Sequence, residues 1–497
     1  MSHYPAEPPR LQRLCAVNAC RFLETPDSTA QAQKPEATAG ETTYRRSLSL
    51  FDGVMVVAGG IIGSGIFRGP DVVAKRAGTP ALILGAWAVG GAIALVGALC
   101  FAELGARRPE AGGGYVYLRE AFSPLFGFLY GWKMLLISAT GAIAALAITF
   151  ADYTVELAGL SDVWVTPLAV AAIVFLSGVN YVGVRLGSLT QNIFTVLKLL
   201  ALAGLIAAGL LFGAGELIAP EMAASSEAAT EGTWGLVAAL GGALIPVLFA
   251  HGGWQHANHI AGEIKNPNRN LPLSLLAGVG IVVGSYLLAN LAYLFALGVE
   301  GLAGSDAPAV DAMQAVAGDL GGTLIGVGIV ASVFGILNLI IMAAPRVYQA
   351  MAGDGLFFRR FAKLHPRYNT PAGAIVVQAA WATLLALTGT FSQLLSYVVF
   401  GDWVLFALIV ATLFVYRRGD AEGDADGNTF RMVGYPVLPV LFILASTFVV
   451  VSTIASNPAN AAIGGVFMLV GVGVYFYWQR ADRYWQRADR ERKKPDR

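Results

Sequence analysis

Charge is what this chain has least of. Only 13% of its 497 residues are Asp, Glu, Lys or Arg, against roughly 25% in an ordinary soluble domain, which excludes a disordered chain and a conventional soluble enzyme. Cysteine is nearly absent: Cys15 and Cys20 in a polar N-terminal stretch and Cys100 in an apolar run cannot build a disulfide framework. A net charge of +1 points to no nucleic-acid partner. There is no G-x-x-x-x-G-K-[S/T] loop, so P-loop ATP hydrolysis is excluded. No nucleophile–base pair, cofactor motif or metal motif of useful spacing suggests an enzyme. No apolar core lies near the N-terminus, so a cleaved secretory signal is not expected.

What is present is apolar sequence. Hydrophobic residues make up 56% of the chain, the mean hydropathy is +0.63, and there are 59 glycines, well above the roughly 7% usual share. Runs of about 20 apolar residues are long enough for a bilayer. Twelve can be drawn: 50–74, 80–102, 123–150, 163–182, 189–213, 234–260, 271–298, 321–350, 372–390, 394–416, 435–455 and 459–479. The expected class is therefore an all-α integral membrane protein of twelve transmembrane helices. Basic residues set its orientation. Arg107, Arg108, Arg119, Arg185, Lys265, Arg269, Arg346, Arg359, Arg360, Lys363, Arg367, Arg417, Arg418 and Arg431 fall on one side with the basic C-terminal tail. The other side holds Arg68, Lys75 and Arg76 and many acids, from Asp152 and Glu156 through Glu216, Glu221, Glu227 and Glu231 to Glu300, Asp306, Asp311 and Asp319. Both termini are predicted to be cytoplasmic. The tail repeats WQRAD at 478–482 and 485–489. It reads either as a basic amphipathic helix along the inner leaflet or as a solvated tail.

Spans 1 and 6 carry breaking sequences, Gly59–Phe67 (GGIIGSGIF) and Phe249–Trp254 (FAHGGW). Five spans separate them, so they occupy equivalent places in two halves, the pattern of inverted-repeat transporters with interrupted helices. A helix broken in the membrane exposes N–H groups at one half-helix start and C=O groups at the other half-helix end. The former suit a carboxylate and the latter an ammonium. Gly63, Ser64 and Gly65 would offer N–H groups, and the carbonyls of Ile61, Phe249 and Gly252 would take an amino group, with Phe249 and Trp254 as apolar cover. The competing explanation is close helix packing by small residues. A dinucleotide-binding loop is excluded, since that motif needs a soluble βαβ unit.

These residues resemble the amino acid–polyamine–organocation superfamily of permeases, most closely its L-type amino acid transporter-like members. The matching stretches are GGIIGSGIF (59–67), FAELGARRPEAGGGYVYLREAF (101–122), QNIFTVLKLLAL (191–202), FAHGGW (249–254), GEIKNPNRNLP (262–272) and PRVYQAMAGDGLF (345–357). The resemblance runs from about Ser47 to the end of span 12. It implies the LeuT-type fold, a five-plus-five inverted repeat with broken helices 1 and 6. The corresponding division is a disordered cytoplasmic tail (1–46), repeat 1 (47–215), repeat 2 (216–418), helices 11 and 12 (419–479) and a basic tail (480–497). It also implies the substrate's carboxylate on Gly63, Ser64 and Gly65, its amino group on Ile61, Phe249 and Gly252, a gate at Phe249, and Trp254 bordering the pocket. Lys198 matches the family position whose ammonium stands in for a sodium ion. Independently, Lys198 lies about mid-way through span 5, where a lysine must face the bundle interior and find partners. Carbonyls of spans 1 and 8 or the Ser332 hydroxyl are candidates.

The chain departs from the family at His251, Gln255, His256 and His259. The histidines read as pathway-lining or packing groups; His256 and His259 share a helix face, but nothing nearby completes a metal site. Heteromeric members of the family this chain resembles link an accessory subunit through a cysteine in the loop between spans 3 and 4; the matching loop here, 151–162, has none, so no disulfide-linked subunit is expected. Asp402 in mid-span 10 would tune the pathway or bond a neighbouring helix, and Lys133 would snorkel to the inner interface. Glu103 and Glu263 would pair with loop arginines, and Pro246 would loosen span 6. With Ala250 and Gly252 leaving room and no carboxylate evident in the pocket, the expected activity is sodium-independent secondary transport of small neutral L-amino acids, by exchange or proton coupling. Cationic amino acid or polyamine transport is the alternative, and a non-transporting nutrient sensor a further one. Beyond substrate and lipid no partner is implied; a monomer or weak homo-oligomer in a cell membrane, a bacterial inner membrane, is expected, without cofactor or metal.

Overall fold

A computed structural model describes residues 44–213, 232–388, 391–420, 429–456 and 458–492. Cys15, Cys20, nearly all of the stretch 1–46, Glu216, Glu221, Glu227, Glu231 and the last five residues lie outside these. The described chain is built of helices: α1 (Leu50–Ile61), α2 (Ser64–Arg68), α3 (Pro70–Ala77), α4 (Pro80–Arg107), α5 (Gly114–Ala121), α6 (Pro124–Lys133), a π-helical turn (Met134–Ser138), α7 (Ala139–Ala158), α8 (Val165–Val182), α9 (Val184–Phe212), α10 (Gly232–Ala250), α11 (His256–His259), α12 (Pro267–Gly304), α13 (Pro308–Gly353), α14 (Ala372–Thr388), α15 (Phe391–Gly419), α16 (Val437–Ser456) and α17 (Pro458–Arg492). Eight of these helical runs are long and apolar enough to cross a membrane. They coincide with spans 2–5, 7, 8, 11 and 12 of the sequence reading. Of the other four, spans 1 and 6 coincide with interrupted helices, span 9 with the 17-residue α14 and span 10 with α15.

Local chemistry explains the boundaries. Ser49 caps α1 reciprocally with Asp52, each side chain reaching the other's backbone N–H. Proline opens α4, α6, α12 and α13 at their first turns, where its missing N–H costs nothing. Two helices overrun their expected limits because each bends at a glycine of positive φ: α12 at Gly298 (68°) and α13 at Gly318 (66°). Thus the leg Pro308–Ala317 precedes span 8 proper. The π-helical turn interrupts span 3 at Met134–Ser138; such turns insert a residue into the helix and re-aim its neighbours.

The centre of the molecule is α1, α12, α13 and the inner faces of α4, α7 and α9, which pack on one another. The periphery presents apolar side chains outward. On α16, Val437, Val440, Leu441, Leu444, Phe448 and Val451 are exposed at helical spacing, the surface expected of a helix facing lipid rather than water. Tyr44 and Arg45, placed in the N-terminal tail by the sequence reading, are hydrogen-bonded to Gln349 and Asn369.

Candidate functional site

The two glycine-rich interruptions are breaks, and they meet. After α1 ends at Ile61, Ile62 adopts an extended conformation and Gly63 caps α2. After α10 ends at Ala250, the chain turns through His251–Gln255 before α11. Gly253 has φ +123°, and a Cβ there would lie 2.2 Å from the Gly60 carbonyl oxygen; a Cβ on Gly65 would lie 2.8 Å from Ala250 Cα. Only glycine permits this approach of two backbones. Pro246, four residues before the end of α10, removes one helical donor.

Around the breaks lies a cavity of about 310 Å³, walled by Gly60, Ile61, Gly63, Ser64, Gly65, Phe249, Ala250, Gly252 and Gly253, by Tyr130 to Thr149 of span 3, by Ile336 and Ile340, and by Asp402 to Phe406. All the expected break residues except Trp254 therefore share one wall. Trp254 is buried behind it, packed against Phe101, Phe406 and Phe442; its ring braces α4, α15 and α16 and does not border the pocket. Phe249 lines the cavity and is 50% exposed.

The carbonyls of the breaks are shared with a residue the sequence reading missed. The Tyr286 hydroxyl donates to Ile61 O (3.0 Å) and lies 3.3 Å from Ala250 O, bridging both breaks. Tyr293, two helical turns on, donates to Ile66 O at 3.1 Å. A carbonyl has two lone pairs, so Ile61 O keeps one for a ligand. Apolar neighbours give no local signal that either tyrosine points to span 1.

Lys198 is fully buried. Its Nζ donates to Gly59 O (2.9 Å), Ile62 O (2.9 Å) and Ser332 O (3.1 Å). The carbonyls of spans 1 and 8 are its partners, as the sequence suggested. The Ser332 hydroxyl instead donates to Ile62 O at 3.1 Å. An ammonium bonded to two carbonyls at the unwound end of α1 and to one of α13 ties that end to α13 from behind the cavity.

Two expectations are corrected. Lys133 does not snorkel: it is 3% exposed, paired with Asp402 and donating to Ser138 Oγ at 2.6 Å. The π-helical turn that starts one residue later rotates this part of span 3 toward α15, and Gly401 leaves room for the lysine stem. The pocket does contain a carboxylate, since Asp402 lines it. The three histidines divide. His256 and His259 line the cavity, with His259 Nε2 2.8 Å from the Tyr130 hydroxyl. His251 is outside it, its Nδ1 on Val247 O (2.9 Å) and its ring against Trp87 and Tyr286. Among the described residues no group of three His, Cys, Asp or Glu side chains is placed to hold a metal ion.

At the arginine-rich end, the expected acid–arginine pairs form, though with helix arginines rather than loop ones. Glu103 accepts from Arg107, from Arg417 through both carboxylate oxygens, and from Met432 N. Arg107 also grips Asp420 with two 2.8 Å bonds, holding that carboxyl below its usual pKa. Buried Glu263 pairs with Arg346 (2.7 Å). The segment before α1 is stitched to the one after α11: Ser47 N and Leu48 N donate to Glu263 O, and Lys265 N to Leu48 O.

The amino acid permease family profile matches residues 48–477. The chain belongs to the amino acid permease family. The permease is 33% identical over 458 residues to the b(0,+)-type amino acid transporter 1 of Homo sapiens, covering 90% of each. It is 31% identical over 436 residues to the serine/threonine exchanger SteT of Bacillus subtilis (strain 168), covering 87% of this chain and 96% of the relative. With the large neutral amino acids transporter small subunit 2 of Mus musculus it shares 32% over 460 residues, 90% of this chain and 84% of the relative. Family and apolar helices together make the permease a multi-pass membrane protein.

Proposed function

We propose that this permease is a sodium-independent secondary transporter of neutral L-amino acids, working by alternating access through twelve spans arranged as a five-plus-five inverted repeat. The observation that carries the proposal is the cavity formed where two broken helices meet. In it the substrate carboxylate sits on the N–H groups of Gly63, Ser64 and Gly65, where a half-helix starts and partial positive charge is exposed. The amino group sits on the carbonyls of Ile61, Phe249 and Gly252, where half-helices end. Binding a zwitterion by backbone leaves the side chain to the rest of the wall, and Phe249 closes the site.

Lys198 replaces the sodium ion. A fixed ammonium bonded to Gly59 O, Ile62 O and Ser332 O supplies the charge a cation would, so no ion need bind for α1 to hold its shape. Whether the lysine stays charged through the cycle separates exchange from proton coupling; the similarity to the serine/threonine exchanger SteT favours exchange. Cationic substrates have one observation in their favour, Asp402 in the wall, but its charge is taken by Lys133. We place both termini in the cytoplasm of a cell membrane, a bacterial inner membrane, with the Glu103 and Glu263 ion pairs closing the inner side. The permease works without cofactor or disulfide-linked subunit, as a monomer or weak homo-oligomer.

The test is uptake of labelled neutral L-amino acids into proteoliposomes without sodium, with and without unlabelled amino acid inside, and with and without an inward proton gradient. Uptake that depends on internal amino acid makes the permease an exchanger, and uptake driven by the proton gradient makes it a symporter. Uptake only when sodium is added would refute the role given to Lys198, and uptake of arginine or putrescine alone would refute the substrate class.

A further inference from the structure

The wall of the cavity that is not helix break is divided by chemistry. One part is aliphatic and aromatic. The other gathers Tyr130, Ser138, Gln255, His256, His259 and Asp402. We propose that this polar part is the side-chain subsite, and that it selects uncharged amino acids whose side chains hydrogen-bond, with His256 as the residue that reads them and Asp402 as a second acceptor. The proposal rests on the transport reading above, since it needs the amino acid backbone to be held at the breaks.

The hydrogen-bonding capacity of the subsite is partly unspent. His259 uses Nε2 on the Tyr130 hydroxyl (2.8 Å), and Gln255 uses Oε1 on Gly253 N (3.0 Å). Asp402 receives Lys133 and Ser138 Oγ (3.3 Å) on one oxygen, Oδ1, while its side chain is 33% exposed. A carboxylate has about four lone-pair sites, so Asp402 can still accept from a ligand. His256 Nδ1 and His259 Nδ1 are buried with no hydrogen-bond partner. A buried polar group left unpaired is costly, which is why such groups normally have partners; a ligand that supplies the partner binds better than an isostere that cannot. A site built this way rejects the analogue lacking the polar group more strongly than an apolar pocket rejects an extra one.

Charge narrows the class. Lys133 and Asp402 cancel, so a third, unpaired charge brought into the cavity by a lysine or glutamate side chain would be desolvated without a counter-charge. Volume narrows it from the other side: about 310 Å³ takes a side chain longer than that of serine. An amide such as glutamine's, with two donors and an acceptor, matches both the carboxylate and the imidazole.

Binding is read on the purified full-length permease by thermal unfolding, because a ligand that binds only the folded state raises stability in proportion to RT ln(1 + [L]/Kd). The probes are L-glutamine, L-norleucine of the same chain length, and L-lysine. The expected Kd for glutamine is at least tenfold below that for norleucine and below that for lysine. H256F should bring the glutamine-to-norleucine ratio within about threefold, and H256Q, which keeps a hydrogen-bonding group, should retain the preference. The wild-type comparison decides by itself if H256F does not fold. Norleucine binding as tightly as glutamine, lysine binding more tightly, or an unchanged ratio in H256F would overturn the subsite while leaving the transporter standing. Stabilisation by none of the three would overturn both.

Discussion

Gly253 is where the account can be broken with one methyl group. In Gly253→Ala the new Cβ would lie 2.2 Å from Gly60 O, 2.6 Å from Gly60 C and 3.1 Å from Ile61 N. All three are backbone atoms of the first break, with no flexible side chain to move aside. Restoring an ordinary contact requires the breaks to part by roughly 1 Å, and alanine at φ +123° adds strain of about 1–3 kcal/mol. Where a substrate is held by backbone groups on both breaks, a 1 Å misplacement costs on the order of 100-fold in rate. The assay is initial uptake in proteoliposomes, with detergent thermal stability measured alongside. The control is Gly284→Ala, also in a membrane span, where a Cβ meets nothing within 4 Å. We expect G253A to lose about two orders of magnitude in kcat/KM and G284A to match wild type. A G253A protein that transports at the wild-type rate would refute the claim that the breaks meet and together form the site.

Lys198→Met removes the donor shared by Gly59 O, Ile62 O and Ser332 O; hydrogen bonds to charged groups are worth about 1.5–3 kcal/mol each, so sodium-free uptake should fall more than tenfold and the unfolding temperature should drop. Tyr286→Phe deletes the bridge between Ile61 O and Ala250 O; a cost of about 1 kcal/mol should appear as a roughly fivefold rise in KM with folded protein intact. Arg346→Met leaves Glu263 buried without its partner, a loss of about 3–5 kcal/mol, visible as poor recovery of monodisperse protein, whereas changing both residues to apolar ones should restore much of it. Asp420 has its carboxyl pKa lowered by the Arg107 hydrogen bonds, so it adds stability above the unfolded-state value of about 3.9 and loses it as pH falls through the lower folded value. The difference in unfolding temperature between wild type and D420N should therefore be present at pH 7 and shrink below about pH 4.

The breaks were legible in the sequence because their cause is local: glycines at 59, 60, 63 and 65 and at 252 and 253 can be read without knowing what they touch. Lys198 was legible for a related reason, since a lysine in mid-span must find carbonyls, and the interrupted span is where free carbonyls are. Lys133 and Asp402 were not, because they are 269 residues apart and their meeting depends on a π-helical turn with no clear residue signature. Tyr286 and Tyr293 look like ordinary aromatic positions of an apolar span until the break they bond to is placed beside them. Trp254 was misjudged for the converse reason. It adjoins the break in sequence, but the turn at Gly253 sends its ring back into Phe101, Phe406 and Phe442.

The central claim is that the substrate is gripped by its amino acid backbone, carboxylate on the α2 start and amino group on the carbonyls of both breaks. Competition against uptake of a labelled neutral L-amino acid tests it with three derivatives of the same compound: the methyl ester, the N-acetyl form and the decarboxylated amine. The account predicts that the free L-amino acid competes and that each derivative is weaker by at least tenfold, because each removes one end of the zwitterion. Competition by the ester or the amine as strong as that of the free amino acid would contradict it.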